Sequence, residues 1–231
     1  MFHTLTAHPG ITQAEHRALP HISNTDLSNL KNEALGITRT GNPQALIFGV
    51  AFHEAVLEPH LYHAPQDLPP GQLRLLDNLA AAVRRQRYCR DLLYRGTAEV
   101  THTAIHAETG LPVKIRPDLL VVTPRLGRKV LVDFKTTSCQ DYAQFVATIE
   151  AYDYDRQAAL YTDVLGADRF LIVGVQKKAP HDIWLVELSA DNYSMEQGRK
   201  KYQRLLKYYA EQGQKVVAPL VQQVPTRTWA D

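Results

Sequence analysis

Asp118, Asp133 and Lys135 are the residues of this 231-residue chain whose types and spacing point most directly to chemistry. They lie in the stretch Lys114 to Thr136, KIRPDLLVVTPRLGRKVLVDFKT, where two β-rich runs flank a polar turn, Thr123-Pro124-Arg125-Leu126-Gly127-Arg128. Side chains alternate along a strand, so Asp133 and Lys135 share one face while Val130, Val132 and Phe134 form an apolar face suited to a core. If the runs pair as a hairpin, Asp118 lies beside Asp133. Two carboxylates and an ammonium on one sheet edge then call for a divalent cation to offset the carboxylate repulsion. Asp-x-Lys alone is most often a solvated strand edge; Pro117 before Asp118 and the apolar back face lift it above that.

Other elements must position this edge. Ser23, Asn24 or Thr25 can cap a helix beginning near His21. Pro43 to Glu58, PQALIFGVAFHEAVLE, reads as an apolar helix with Pro43 in its first turn. Gly49 costs about 1 kcal/mol there, so a close approach is expected at that position. His53 shares the Gly49 face. With Glu54 it is the titratable part of the apolar run. His53-Glu54 is not a zincin motif, because position 57 is Leu57 rather than histidine. A lone histidine on an apolar helix is more often a core residue; the alternative is a third ligand beside Asp118 and Asp133. A long basic helix is expected from Gly71 to about Tyr94, with Arg74, Arg84, Arg85, Arg87 and Arg90. Asp77 and Asp91 are its available partners, so a solvated face competes with a phosphate-facing one.

A strand, TAEVTHTAIHAET, should open after Gly96 and return through Glu108-Thr109-Gly110 into LPVKIRPDLLVV, giving three antiparallel strands with the hairpin. Glu99 could reach the site. Lys114, Arg116 and Asp118 should alternate onto one basic face. Thr136-Thr137-Ser138 reads as an N-cap run before a short helix, and a second helix follows, YDRQAALYTDVLG, closed by Gly166. Gln157 and Tyr161 share a face there. Arg169 to Gln176 and Asp182 to Leu188 read as strands. A basic helix should run from about Ala190 to Gln212, stopped by Gly213. Trp229 stands isolated in the tail.

Composition is ordinary, 45% hydrophobic and 22% charged with a formal net charge of +2, and suits one α/β domain over residues 1–231 without demanding a polyanion partner. Two cysteines, Cys89 and Cys139, lie apart. They fit a reducing, cytoplasmic setting and argue against a zinc or iron–sulfur site. No run approaches the about eighteen apolar residues of a membrane span, and no signal peptide is visible.

In order, these parts are Gly49-x-x-x-His53 with Leu57-Glu58-Pro59, Arg116-Pro117-Asp118, Asp133-Phe134-Lys135-Thr136-Thr137 and Gln157-x-x-x-Tyr161. The pattern resembles the PD-(D/E)xK nuclease superfamily, in its phage-type exodeoxyribonuclease VIII (RecE-like) branch and close to the RecB nuclease-domain pattern. Each motif is weak alone; four in order on fitting elements are specific. The resemblance runs from His21 to the tail and implies a restriction-endonuclease-like α/β core, a central mixed sheet flanked by helices. By resemblance, His53, Asp118, Asp133 and the Phe134 carbonyl are metal ligands and Lys135 is the catalytic lysine. Gln157 and Tyr161 sit at the site, and Glu99 matches a nearby acidic position less securely. The iron–sulfur members carry four cysteines, which this chain lacks.

Such a site suits hydrolysis of a phosphodiester bond. Mg²⁺ prefers oxygen ligands, and an imidazole ligand suits Mn²⁺ better, so Mn²⁺ should substitute. Lys135 can orient water, stabilise charge, or act as a base if its neighbours lower its pKa. Arg84, Arg85, Arg87 and Arg116 could hold DNA phosphates without reading sequence. The resemblance implies an exonuclease degrading one strand of linear duplex DNA 5′ to 3′. It would leave 3′ overhangs for a strand-annealing protein, and would work as a ring-shaped homo-oligomer. The alternatives are a structure-selective or repair endonuclease with the same site and a non-catalytic DNA-binding subunit. A zinc hydrolase through His53 with His60 or His63 ranks behind them.

Overall fold

The computed structural model describes residues 1–38, 42–123 and 126–221. In chain order the elements are β1 (Phe2–His8), α1 (Gln13–Ala18), α2 (Asn24–Ala34), α3 (Pro43–Leu57), α4 (Pro70–Arg85) and α5 (Arg87–Arg95). Then come β2 (Thr97–Ala98), β3 (Thr101–His106), β4 (Pro112–Ile115), β5 (Leu119–Val122) and β6 (Lys129–Thr137). The chain continues with α6 (Tyr142–Ala151), α7 (Tyr154–Leu165), β7 (Arg169–Gln176), β8 (Ile183–Ser189) and α8 (Tyr193–Val221).

The principal sheet has the order β2-β5-β6-β7-β8. Its central pair, β6 and β7, is parallel and its other neighbours are antiparallel. A parallel pair needs a crossover, which α6 and α7 supply. Alternation on β6 and β7 sends side chains to both faces. Val130, Val132, Phe134, Leu171, Val173 and Val175 pack under α3, α4 and α5. Leu131, Phe170 and Ile172 pack on the opposite side against α6, α7 and α8. This is the expected central mixed sheet flanked by helices. Among the described residues no helix is long and apolar enough to cross a membrane.

Several elements depart from the sequence reading. The three expected antiparallel strands divide between two sheets, because β3 and β4 join β1 in a separate sheet of order β1-β3-β4. The chain leaves that sheet at Arg116-Pro117-Asp118, and Pro117 has no N–H to give a ladder. Lys114 therefore sits away from Asp118, donating to the carbonyls of Arg17 and Leu19 at 3.0 and 2.8 Å. The long basic helix is two helices, broken at Gln86, whose extended backbone (ψ 117°) turns the chain and whose side chain accepts the Cys89 N–H at 2.6 Å. The cap of α6 is Asp141 rather than the Thr136–Ser138 run, because β6 continues to Thr137. α8 continues through Gly213, a residue that weakens a helix without ending it. β1 and α1 had no counterpart in the reading. Trp229, Gly41 and part of the 123–128 turn lie outside the described residues.

The α7 helix is held by buried charge. Arg156 is 1% exposed and reaches Asp153 and Asn24. Lys31 also pairs with Asp153, and Lys201 pairs with Asp155 at 2.8 Å. These contacts tie α2, α7 and α8 together and fix the face that α7 turns toward β6.

Candidate active site and metal centre

The site forms where β5 stops. Leu119 pairs with Val132, and the strand goes no further, so the next backbone groups of β6 lose their partner on that side. Buried backbone groups require partners. The Phe134 N–H donates to Asp118 Oδ2 at 2.6 Å, and the Phe134 carbonyl lies 3.0 Å from His53 Nε2. Side chains from separate elements thus converge on one residue of β6. Asp118 lies beside Asp133, as the hairpin argument requires.

His53 reaches this point from α3, whose N-cap is Asn42 with Pro43 in the first turn. Its other nitrogen, Nδ1, is 3.3 Å from Asp118 Oδ1. Contact with two acceptors needs both ring N–H groups, hence an imidazolium. Burial works against that charge, but the Asp118 carboxylate outweighs it and raises the His53 pKa to about 9. In return, burial of Asp118 is outweighed by His53, and its pKa falls below the ordinary value.

Glu99 completes the cluster. Its backbone is left-handed (φ 54°), an uncommon conformation for this residue type, and its N–H donates to the Asp118 carbonyl at 3.2 Å. The carboxylate is 4.0 Å from His53 Nδ1 and accepts Arg116 Nε at 2.6 Å. Burial first, then the Asp118 charge, push Glu99 up to about 7 against the opposing Arg116. His53, Glu99 and Asp118 each offer a ligand atom, all within 4.8 Å of one another.

Asp133 lies next to this group on the α7 side. Lys135 Nζ is 2.8 Å from one carboxylate oxygen, and Gln157 Nε2 donates to the other at 2.7 Å. Burial raises Asp133, Lys135 opposes it, and Asp118 adds to it, leaving the pKa above the ordinary value. Burial disfavours the Lys135 ammonium, but Asp133 and Asp118 dominate and its pKa is raised. The neighbours therefore hold Lys135 charged, which suits charge stabilisation rather than proton abstraction. Tyr161, one turn beyond Gln157, is half-buried, with its hydroxyl pKa pushed up mainly by burial.

This donor set fits a divalent cation. The carboxylates of Asp118 and Glu99 are hard oxygen ligands and the His53 imidazole adds a borderline nitrogen, while the Asp133 oxygens beside them face Lys135 and Gln157. The imidazolium lies between Asp118 and the Phe134 carbonyl, two acceptors that favour positive charge. Burial above all, with the Asp118 charge adding to it, raises Asp133 and Glu99, and a cation would offset both causes.

The sequence-predicted residues are thus gathered in large part: His53, Asp118, Phe134, Asp133, Lys135 and Gln157 by direct hydrogen bonds, with Tyr161 behind them. Arg116 is placed inside the site, where it also donates to the Ile11 carbonyl at 2.9 Å. Arg84 donates to the Ala55 carbonyl, while Arg85 and Arg87 are exposed on the surface. Gly49 meets no close approach among the described residues: outside its own helix backbone and chain neighbours, none has an atom within 4 Å of an added Cβ. Tyr154 was missed. Its ring lies 5.1 Å from Lys135 Nζ, within cation–π range. Tyr154, Gln157 and Tyr161 follow an i, i+3, i+7 spacing that could have revealed it. Away from the site, Tyr88 and Tyr94 are 41% and 89% exposed on α5, where they line a surface hollow of about 640 Å³ with Arg87, Arg90 and Arg95.

The family described as "PDDEXK-like domain of unknown function (DUF3799)" matches residues 27–221. Among solved structures, a protein of Eubacterium rectale provisionally named an exonuclease is 18% identical. It overlays with a TM-score of 0.59, covering 88% of this chain and 87% of its own. A phage-related exonuclease of Haemophilus somnus is 14% identical, with a TM-score of 0.47 and 89% of each chain covered. An alkaline exonuclease of Laribacter hongkongensis is 13% identical, with a TM-score of 0.42 and coverage of 90% and 100%. No curated protein sequence matches the chain.

Proposed function

The chain belongs to the PDDEXK-like domain family, and from that premise we propose that it is a metal-dependent DNA exonuclease acting on linear duplex ends. The family and the central mixed sheet establish a restriction-endonuclease-like nuclease fold. The observation that carries the reading further is the convergence of His53, Glu99 and Asp118 beside the Lys135–Asp133 pair. A pure DNA-binding subunit gains nothing from buried carboxylates near phosphate.

The geometry supports the following roles. Asp118, Asp133, Glu99, His53 and the Phe134 carbonyl are the groups that would hold Mg²⁺, with Mn²⁺ as a substitute that the imidazole favours. Such an ion polarises a phosphate oxygen and acidifies water when bound. Lys135 brings a fixed positive charge to the phosphate. Gln157 holds Asp133 in place, and Arg116 holds Glu99. The exposed arginines of α5, Arg87 and Arg90, supply sequence-blind contacts to the DNA backbone.

The likeness to RecE-type exonucleases is the ground for proposing 5′ to 3′ degradation that leaves 3′ overhangs for a strand-annealing partner. It is also the ground for proposing a ring-shaped homo-oligomer. The test is a comparison of linear and covalently closed circular plasmid with Mg²⁺ or EDTA. Degradation of the linear form alone, abolished by EDTA, supports the reading. Nicking of circles moves the assignment to an endonuclease, and binding without cleavage of either form moves it to a DNA-binding subunit.

A further inference from the structure

Gly49 sits in the interior of α3, where glycine costs about 1 kcal/mol relative to alanine. A helix-interior glycine usually has a packing reason, and Gly198 in α8 shows one: an added Cβ would strike the Asp155 backbone and the Ala159 side chain. Gly49 has none among the described residues: apart from its own helix backbone and chain neighbours, none of them places an atom within 4 Å of its Cβ position. Nothing in the described fold therefore requires a glycine there.

The position of that open space is informative. The core-facing side of α3 consists of Phe48, Ala51, Phe52, Ala55 and Val56, all buried. Leu46, Gly49, Val50 and His53 follow an i, i+3, i+4, i+7 spacing and share another face. His53 belongs to the metal site, and Leu46 and Val50 are 63% and 40% exposed. Gly49 is one turn from His53, about 6 Å along the axis. A strand placed with its reacting phosphate near His53 passes Gly49 within about one or two nucleotides.

We propose that Gly49 is the point where the sugar–phosphate backbone of the substrate strand comes closest to α3. The missing side chain lets a deoxyribose lie directly on the helix backbone, flanked by Leu46 and Val50. Those neighbours offer apolar contact and no base-reading hydrogen bonds, so the contact aligns the strand without regard to sequence. This inference rests on the nuclease reading above and adds a substrate-positioning residue to it.

The test is Gly49→Ala in the full chain, with Gly71→Ala as a control. Gly71 lies in α4 and is equally unhindered, but is not among the residues of the site. DNA affinity is measured by fluorescence anisotropy of a labelled linear duplex, with Ca²⁺ replacing the catalytic ion. Mn²⁺ binding is measured by calorimetry, and the unfolding midpoint by thermal melting. Gly49→Ala should bind DNA about tenfold more weakly or worse, as when one methyl group is forced into a packed contact. Its Mn²⁺ affinity should be unchanged and its unfolding midpoint unchanged or raised, because alanine favours the helix. Gly49→Leu should lose more affinity, and Gly71→Ala none. Wild-type affinity in Gly49→Ala would overturn the inference and leave the nuclease reading intact. A wild-type protein that binds no duplex would overturn the nuclease reading, and this inference with it.

Discussion

The Asp118 carboxylate accepts the Phe134 backbone N–H at 2.6 Å, in the place where a longer β5 would have offered a carbonyl. This bond links the end of a strand to the chemistry of the site. Pro117 and Asp118 end the pairing, and the freed backbone groups of Phe134 become part of the candidate metal centre. The arrangement separates two tasks for one side chain, accepting a backbone hydrogen bond and carrying negative charge.

Those tasks can be separated by mutation. Asp118→Asn keeps an acceptor for the Phe134 N–H and should retain most of the stability of the metal-free protein. Asp118→Ala leaves that buried donor unpaired and should lose about 1–3 kcal/mol. Both should lose divalent-ion affinity. Urea denaturation in EDTA and calorimetric Mn²⁺ titration read the two effects independently.

Metal binding should tighten as pH rises. His53 is raised from 6.5 to about 9 by Asp118, against its burial, and Glu99 from 4.5 to about 7 by burial and Asp118. Both protons must leave before those groups can act as ligands. A raised folded pKa contributes stability at low pH that fades upward. The His53 share is complete below 6.5 and lost as pH passes about 9, and the Glu99 share is complete below 4.5 and lost through about 7. Asp118 is lowered, so its share has the opposite sign and is lost only in acid. Thermal melts in EDTA should therefore show falling stability from neutral to alkaline pH, restored by Mn²⁺. His53→Ala should flatten the slope between 6.5 and about 9.

Lys135 is held charged by Asp133 and Asp118. Lys135→Ala should slow cleavage about a hundred- to a thousandfold, the range seen when one preorganised charge-stabilising donor is removed. DNA affinity should change little. Lys135→Arg should not restore the rate, because the guanidinium is broader and aims its donors differently. Single-turnover cleavage at saturating protein separates rate from binding.

Much of this site was legible because its signals are local. Alternation placed Asp133 and Lys135 on one face of β6, and the turn between two β-rich runs placed Asp118 beside them. His53 stood out as a titratable residue in an apolar helix. What escaped reading depends on tertiary placement. Glu99 was named as able to reach the site, but the left-handed backbone and the Arg116 ion pair that aim it there leave no periodic mark. The division of β3 and β4 from β5 into separate sheets hinges on Arg116 to Asp118, where the residue pattern alone reads as continuous strand. Arg116 looked like a surface phosphate ligand because the sequence does not reveal its burial. Gly49 was read as a point of close approach, and none of the described residues outside its own helix makes one.

The arginines of α5 should contribute long-range, salt-sensitive binding. Arg87→Ala with Arg90→Ala should weaken duplex binding about equally for unrelated sequences. It should also reduce the dependence of log affinity on log salt by about one for each phosphate that the protein no longer neutralises. Tyr94→Ala should weaken single-strand binding more than duplex binding, since an exposed ring stacks on unpaired bases. Anisotropy titrations at several salt concentrations check both, with unchanged unfolding midpoints as the control for folding.

The most direct test of the central claim is digestion of a linear duplex labelled separately at each 5′ end, with Mg²⁺, Mn²⁺ or EDTA. Wild type, Asp133→Ala and Lys135→Ala would be run side by side. The account predicts metal-dependent release of 5′-labelled mononucleotides by the wild type and loss of that release in both variants. Activity that survives Asp133→Ala would contradict it, because the cluster around β6 would then not be the catalytic centre.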